Sequence, residues 1–116
     1  MKMIMAIIQP FMLEKVTQAL ERIDGFPGIT ITDARGFGRE KATKEHREHH
    51  ARIDDVVDYV KKARLEIVAH DDMVEVIAKA IAEVGHTGNR GDGKVFIWPI
   101  ESALRIKSGE IGDAAV

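Results

Sequence analysis

MKMIMAIIQPFMLEKVTQAL at residues 1–20 and ARLEIVAHDDMVEVIAKAI at residues 63–81 decide the fold, because they are two versions of one unit. In each, a strand-like apolar run is followed by a helical stripe. In the first, Met1, Met3, Met5 and Ile7 share one face of a strand over residues 1–9. Pro10 suits a helix start, since the amide hydrogen it lacks has no partner in a first turn. Leu13, Val16, Leu20 and Ile23 then recur at helical spacing, and Gly25 reads as the stop. In the second, Ala63, Leu65, Ile67 and Ala69 share a face. Asp72 and Glu75 have the spacing of a capping box with Asp72 as the cap. Met73, Val76, Ile77, Ala80, Ile81 and Val84 form the next stripe, closed by Gly85. MLEKVTQAL at 12–20 lines up with MVEVIAKAI at 73–81.

Outward from these units, residues 29–35 alternate as a second strand and KVFIWPI at 94–100 as a last one, with Pro99 placing its end at a sheet edge. The order βαββαβ predicts an α+β domain, a ferredoxin-like split βαβ sandwich that takes residues 1–116 as one unit. Two short helices cover one sheet face. The other face still carries apolar side chains and needs a cover, which favours an oligomer. Phe96 and Trp98 are assigned to opposite faces of the last strand, in core or oligomer packing.

Composition narrows the function. The chain has 116 residues, 45% of them apolar, enough for a core without cross-links. It has no cysteine, which removes disulfides and thiol chemistry. With 17 basic and 19 acidic residues the net charge is −2, too balanced for a nucleic-acid partner. The N-terminal run is too short for a membrane span and lacks a signal-peptide cleavage site, so the expected place is the cytoplasm, without direct membrane insertion.

Residues 36–58, GFGREKATKEHREHHARIDDVVD, are polar almost to the end. An insertion of this length inside a compact domain is usually functional. His46, His49 and His50 form H-x-x-H-H; on a helix His46 would share a face with both others, and neutral imidazoles so spaced can bind zinc, copper or nickel, with Glu45 and Glu48 as further oxygen donors. The alternative is a solvated charged loop.

The strongest chemical signal is Thr87-Gly88-Asn89-Arg90-Gly91-Asp92-Gly93-Lys94. Glycines let a backbone approach phosphate, consecutive amides can cradle it, and Arg90 and Lys94 supply countercharge. The run overlaps the start of a P-loop pattern, but Val95 replaces the metal-binding hydroxyl residue and a strand follows instead of a helix. A plain glycine-rich turn remains the alternative. Gly36-Phe37-Gly38-Arg39 could by itself be no more than a strand end.

MAIIQPFMLEKV at 5–16, ITDARGFGR at 31–39, RLEIVAHDD at 64–72, TGNRGDGKVFI at 87–97 and LRIKSGE at 104–110 together resemble the PII signal-transduction proteins, in the family's order. The resemblance implies a homotrimer that binds ATP or ADP between subunits, with AMP as a further candidate. It implies a protruding T-loop, here about 38–58, that engages a membrane transporter or a cytosolic enzyme; a glycine-rich B-loop, about 86–94; and a C-terminal loop, about 101–116. By resemblance the nucleotide site takes in Ile7, Thr30, Gly36, Phe37, Gly38, Arg39, Glu40, Lys62, Glu66, Val68 and the run from Thr87 to Lys94, with Gly91, Gly93 and Lys94 on the phosphates. Arg105 and Lys107 resemble the basic pair that reaches phosphates from the neighbouring subunit. Lysine at 107, where the family usually has arginine, keeps the charge but loses bidentate geometry.

Other departures narrow the reading. Asn89 stands where lysine is common. Glu40 stands where the family usually has a glutamine that ligates Mg²⁺ when ATP and 2-oxoglutarate bind together. A carboxylate can still hold Mg²⁺, but it repels a dianion, which argues against 2-oxoglutarate although Lys62 matches the family lysine of that site. The T-loop is longer than usual, and Asp55 occupies the place of the tyrosine that is normally modified, so control through that residue is not expected. Tyr59 is expected to pack on its strand. The leading expectation is a non-catalytic nucleotide sensor. The main rival is a metal-responsive PII-like regulator linked to metal transport or efflux through the loop histidines. A slow nucleotide hydrolase and a trimer that binds nothing are the remaining readings.

Overall fold

The computed structural model of the chain describes residues 1–37 and 59–116. Strand β1 (Lys2–Ile8) alternates strictly: Ile4, Ala6 and Ile8 are buried, while Met3, Met5 and Ile7 are half-buried on the opposite face. KMIMAII is apolar on both faces, so side-chain type alone does not say which one is the core. The helices decide it by packing over Ile4, Ala6 and Ile8. Pro10 opens a 3₁₀ turn (Pro10–Met12) that runs directly into α1 (Leu13–Glu21). Past the helix, Gly25 takes φ +76°, the left-handed conformation suited to a stop.

The chain returns as β2 (Thr30–Gly36), and β3 (Val60–Ala69) begins beyond residues 38–58. Helix α2 (Asp71–Gly85) and the edge strand β4 (Lys94–Pro99) complete the unit, followed by a short 3₁₀ turn (Gly112–Ala115). The sheet order is β2-β3-β1-β4, with every neighbour antiparallel. β1 and β2 are therefore parallel and separated by β3, the split βαβ arrangement that the repeat predicts.

The core lies between this sheet and the two helices. Ala63, Leu65, Ile67 and Ala69 of β3 face Met12, Val16 and Leu20 on one side and Val74, Ile77 and Ile81 on the other, all buried. Leu65, in a central strand, is fully buried. Leu65→Ala is expected to destabilise the fold by about 3 kcal/mol through lost transfer energy and a residual cavity. Urea unfolding at fixed protein concentration reads this, and a shift under 1 kcal/mol would place Leu65 outside the core.

Three expectations are corrected. Asp72 is not the cap of α2: the helix starts at Asp71 with His70 as N-cap, and no side chain caps it. Asp71 instead lies 2.9 Å from the amino group of Met1. Val74 is buried, whereas Val76 is 46% exposed, so the stripe takes Val74 in place of Val76 while Ile77 and Ile81 are buried and Met73, Ala80 and Val84 pack against the core as expected. Gly85 is the last residue of α2, as the sequence predicts, and it ends the helix without a left-handed turn. It is buried, and a Cβ there would meet Val16 at 3.8 Å and Ile8 at 3.9 Å, ordinary van der Waals contact. Phe96 and Trp98 share one face, as residues two apart in a strand must. They sit opposite Met5 and Met3, on the side away from the helices.

Candidate functional site

The loop between α2 and β4 is built around one carboxylate. Asp92 Oδ2 accepts the N–H of Thr87 at 2.8 Å and of Gly88 at 2.9 Å. Its Oδ1 accepts the Thr87 hydroxyl and, at 3.0 Å, the Gln9 side-chain amide. His86 Nδ1 lies 3.5 Å away. The Thr87 hydroxyl in turn accepts the Asn89 N–H at 3.1 Å. The bonds from the Thr87 hydroxyl and N–H, then from Gly88 and Gln9, hold the Asp92 carboxyl well below the usual carboxylate range. Asp92 is thus the organiser of the loop, and the amides of Thr87 and Gly88 are already engaged by it.

Gly88, Gly91 and Gly93 all take positive φ, at +83°, +86° and +94°. Gly93 is the most constrained, since a Cβ would fall 1.6 Å from the carbonyl oxygen of Ile7. This close approach ties the loop to β1, where Ile7 stands opposite Lys94 of β4. Lys62 of β3 donates from its ammonium to the carbonyl of Gly91. The fold therefore brings Ile7, Lys62 and the run from Thr87 to Lys94 together at one end of the sheet.

The other end of the same face carries a shallow groove of about 430 Å³, lined among others by Met3, Thr30, Glu66, Val68 and Arg105. Thr30 is the register partner of Glu66, and Val68 of Met3. At ~3.3 Å per residue, Lys62 and Val68 lie about 20 Å apart along β3. Within one chain Arg105 therefore stands with the groove and away from the glycine loop. Arg105 and Lys107 sit in a hairpin-like C-terminal segment closed by the bridge of Leu104 with Ile111 and by Arg105 N–H to Glu110 O at 2.9 Å. That segment presents Leu104 and Ile111 to solvent, and Ile106 is 98% exposed.

Gly36 pairs with Val60 at the end of β2, and Phe37 follows it, exposed. Gly38, Arg39, Glu40 and the histidines His46, His49 and His50 lie outside the described residues. Among the described residues no group of His, Asp and Glu could hold a metal ion. Tyr59 does not pack into the core; it is half-exposed, with the Arg35 guanidinium 5.4 Å from its ring centroid, a cation–π contact. Gln9 was not predicted at all. Its partner Asp92 is 83 residues away, and no local pattern announces such a bond.

A family model described as "Nitrogen regulatory protein P-II" matches residues 1–110. The chain belongs to the P-II family. Nitrogen regulatory protein P-II of Azospirillum brasilense is 45% identical and that of Rhodospirillum rubrum 46% identical, each over 116 residues and the full length of both chains. The crystal structure of Arabidopsis thaliana PII bound to citrate superposes with a TM-score of 0.78 at 33% identity, covering 99% of this chain and 91% of that one. P-II proteins are signal-transduction regulators that work through partner proteins and are not enzymes. As a family they bind adenine nucleotides and 2-oxoglutarate. No described helix of this P-II protein is long and apolar enough to cross a membrane.

Proposed function

We propose that this P-II protein is a cytoplasmic homotrimer that binds ATP or ADP in clefts between subunits and reports the bound nucleotide to a transporter or enzyme through residues 38–58. The observation that carries the reading is the separation of two half-sites on one sheet face. A glycine loop with Lys94 lies at one end, and a groove with Thr30, Glu66, Val68 and Arg105 lies at the other. Neither is a deep pocket by itself. Copies of the chain packed through this face would bring one protomer's loop to its neighbour's groove and C-terminal segment. The exposed Phe96 and Trp98 and the half-buried Met3 and Met5 give that packing an apolar centre.

The chemistry suits a polyphosphate. Amides beside Gly91 and Gly93 can approach phosphate oxygens because no side chain intervenes, and Lys94 adds charge. Arg105 and Lys107 of an adjoining copy complete the countercharge, Arg105 with bidentate geometry. ATP and ADP differ in how many of these contacts they make, and only such differential binding can shift the conformation of residues 38–58. Mg²⁺ would accompany ATP, with Glu40 as its candidate protein ligand. The same carboxylate disfavours 2-oxoglutarate beside it.

The test is calorimetry with ATP, ADP and AMP, alongside the mass of the particle from light scattering. A trimer that binds ATP and ADP is expected. Arg105→Ala/Lys107→Ala is expected to weaken ATP at least about a hundredfold, since two charge-assisted bonds are lost, with the trimer retained. A monomer indifferent to all three nucleotides sinks the reading.

A further inference from the structure

Gln9 stands between β1 and the 3₁₀ turn, at the N-cap position, yet it makes no cap. Its side-chain amide reaches across to the glycine loop, donating to Asp92 Oδ1 at 3.0 Å and to the carbonyl of Arg90 at 3.4 Å. The other partners of Asp92 among the described residues belong to residues 86–88 of the loop itself. Gln9 alone among them ties the carboxylate to the sheet. Lys62 acts on the next peptide, donating to the carbonyl of Gly91.

A peptide unit is planar and trans, so its C=O and N–H point in opposite directions. With the Arg90 carbonyl turned to Gln9, the Gly91 N–H is turned away from Gln9. With the Gly91 carbonyl turned to Lys62, the Asp92 N–H is turned away from Lys62. The positive φ of Gly91 allows two such peptides in succession.

We infer that Gln9 is a positioning residue: with Lys62, it fixes the two peptide planes flanking Gly91 so that their N–H groups face an incoming phosphate. The inference rests on the nucleotide reading above for its functional consequence, but the positioning itself belongs to the free protein. Gln9 does not touch the phosphate. It sets the orientation of amides that do, so its loss weakens polyphosphates and leaves adenosine unaffected. A lysine at this position has the reach and the hydrogens to bond both the Asp92 carboxylate and the Arg90 carbonyl, whereas an alanine bonds neither.

The experiment compares wild type, Gln9→Ala and Gln9→Lys by calorimetry with ATP and with adenosine, and by amide hydrogen exchange of Thr87 and Gly88 without ligand. Gln9→Ala is expected to weaken ATP roughly tenfold, the scale of a lost bond to a charged group, with adenosine unchanged and Gln9→Lys near wild type. Exchange at Thr87 and Gly88 is expected to quicken in Gln9→Ala and recover in Gln9→Lys. Equal loss for ATP and adenosine, or no rescue by lysine, overturns the inference and leaves nucleotide binding standing. If wild type binds no nucleotide, the function proposed above fails. The exchange data then decide the positioning alone: unchanged protection in Gln9→Ala overturns it, and quickened exchange with recovery in Gln9→Lys upholds it.

Discussion

Gly93→Ala is expected to destabilise the protein by on the order of 3 kcal/mol or more and to abolish nucleotide binding. Two independent costs meet there. The residue holds φ +94°, a region that L side chains rarely adopt. A Cβ would also sit 1.6 Å from the Ile7 carbonyl oxygen and 2.7 Å from its carbon. Neither atom can retreat cheaply. Ile7 belongs to the central strand β1 and is paired with Arg64 on one side and Lys94 on the other. Moving it loosens both ladders at the point where the loop joins β4. Gly109→Ala provides the control, because φ is +77° there but nothing lies within 4 Å of the added carbon. That variant carries the conformational cost alone, about 1–2 kcal/mol. Melting both at one protein concentration isolates the clash, since an oligomer's melting temperature depends on concentration. A Gly93→Ala protein no less stable than Gly109→Ala would mean that the loop does not lie against β1 as described.

The same close approach shows where sequence reading succeeds and where it stops. The repeat of strand and helix was legible because both units carry their apolar residues at the right period, and that is enough to give the order of elements and a ferredoxin-like sheet. TGNRGDGK was legible as a tight glycine-built loop between α2 and β4, and three of its glycines do take positive φ; its phosphate role belongs to the function proposed above. One position of the α2 stripe was less legible. Val74 and Val76 are chemically identical, and only contact with the sheet distinguishes the buried one from the exposed one. The cap of α2 failed for a similar reason: Asp71 and Asp72 are adjacent, and Asp71 is drawn to the amino group of Met1. Asp92 was read as one more loop residue near the ligand, whereas it turns inward and holds the loop. Gln9 could not be found from the sequence, because its partners meet it only once β1 and the loop are side by side.

Asp92→Ala and Asp92→Asn are expected to lower ATP affinity in that order of severity, the alanine variant by roughly a hundredfold and the asparagine variant by about tenfold. An ionised carboxylate only accepts hydrogen bonds, and four donors reach Asp92: two backbone N–H groups on Oδ2, a hydroxyl and an amide on Oδ1. Alanine strands all four donors. Asparagine can keep its carbonyl toward the Thr87 and Gly88 amides, but its NH₂ group then faces Thr87 and Gln9. Gln9 can answer by turning its amide over. The Thr87 hydroxyl would have to accept where it now donates, although it already accepts from Asn89. The loop survives in part, and ATP affinity with it. The pH dependence has a definite sign. Those donors hold the folded carboxyl below its ordinary value near 4, so its stabilisation is fully present above about pH 4. It is lost only as pH falls through the lower folded value. A carbon NMR titration of the Asp92 carboxyl is therefore expected to be flat from about pH 8 down to pH 4. An inflection inside that interval would show a carboxylate without its donors, and a loop held by something else.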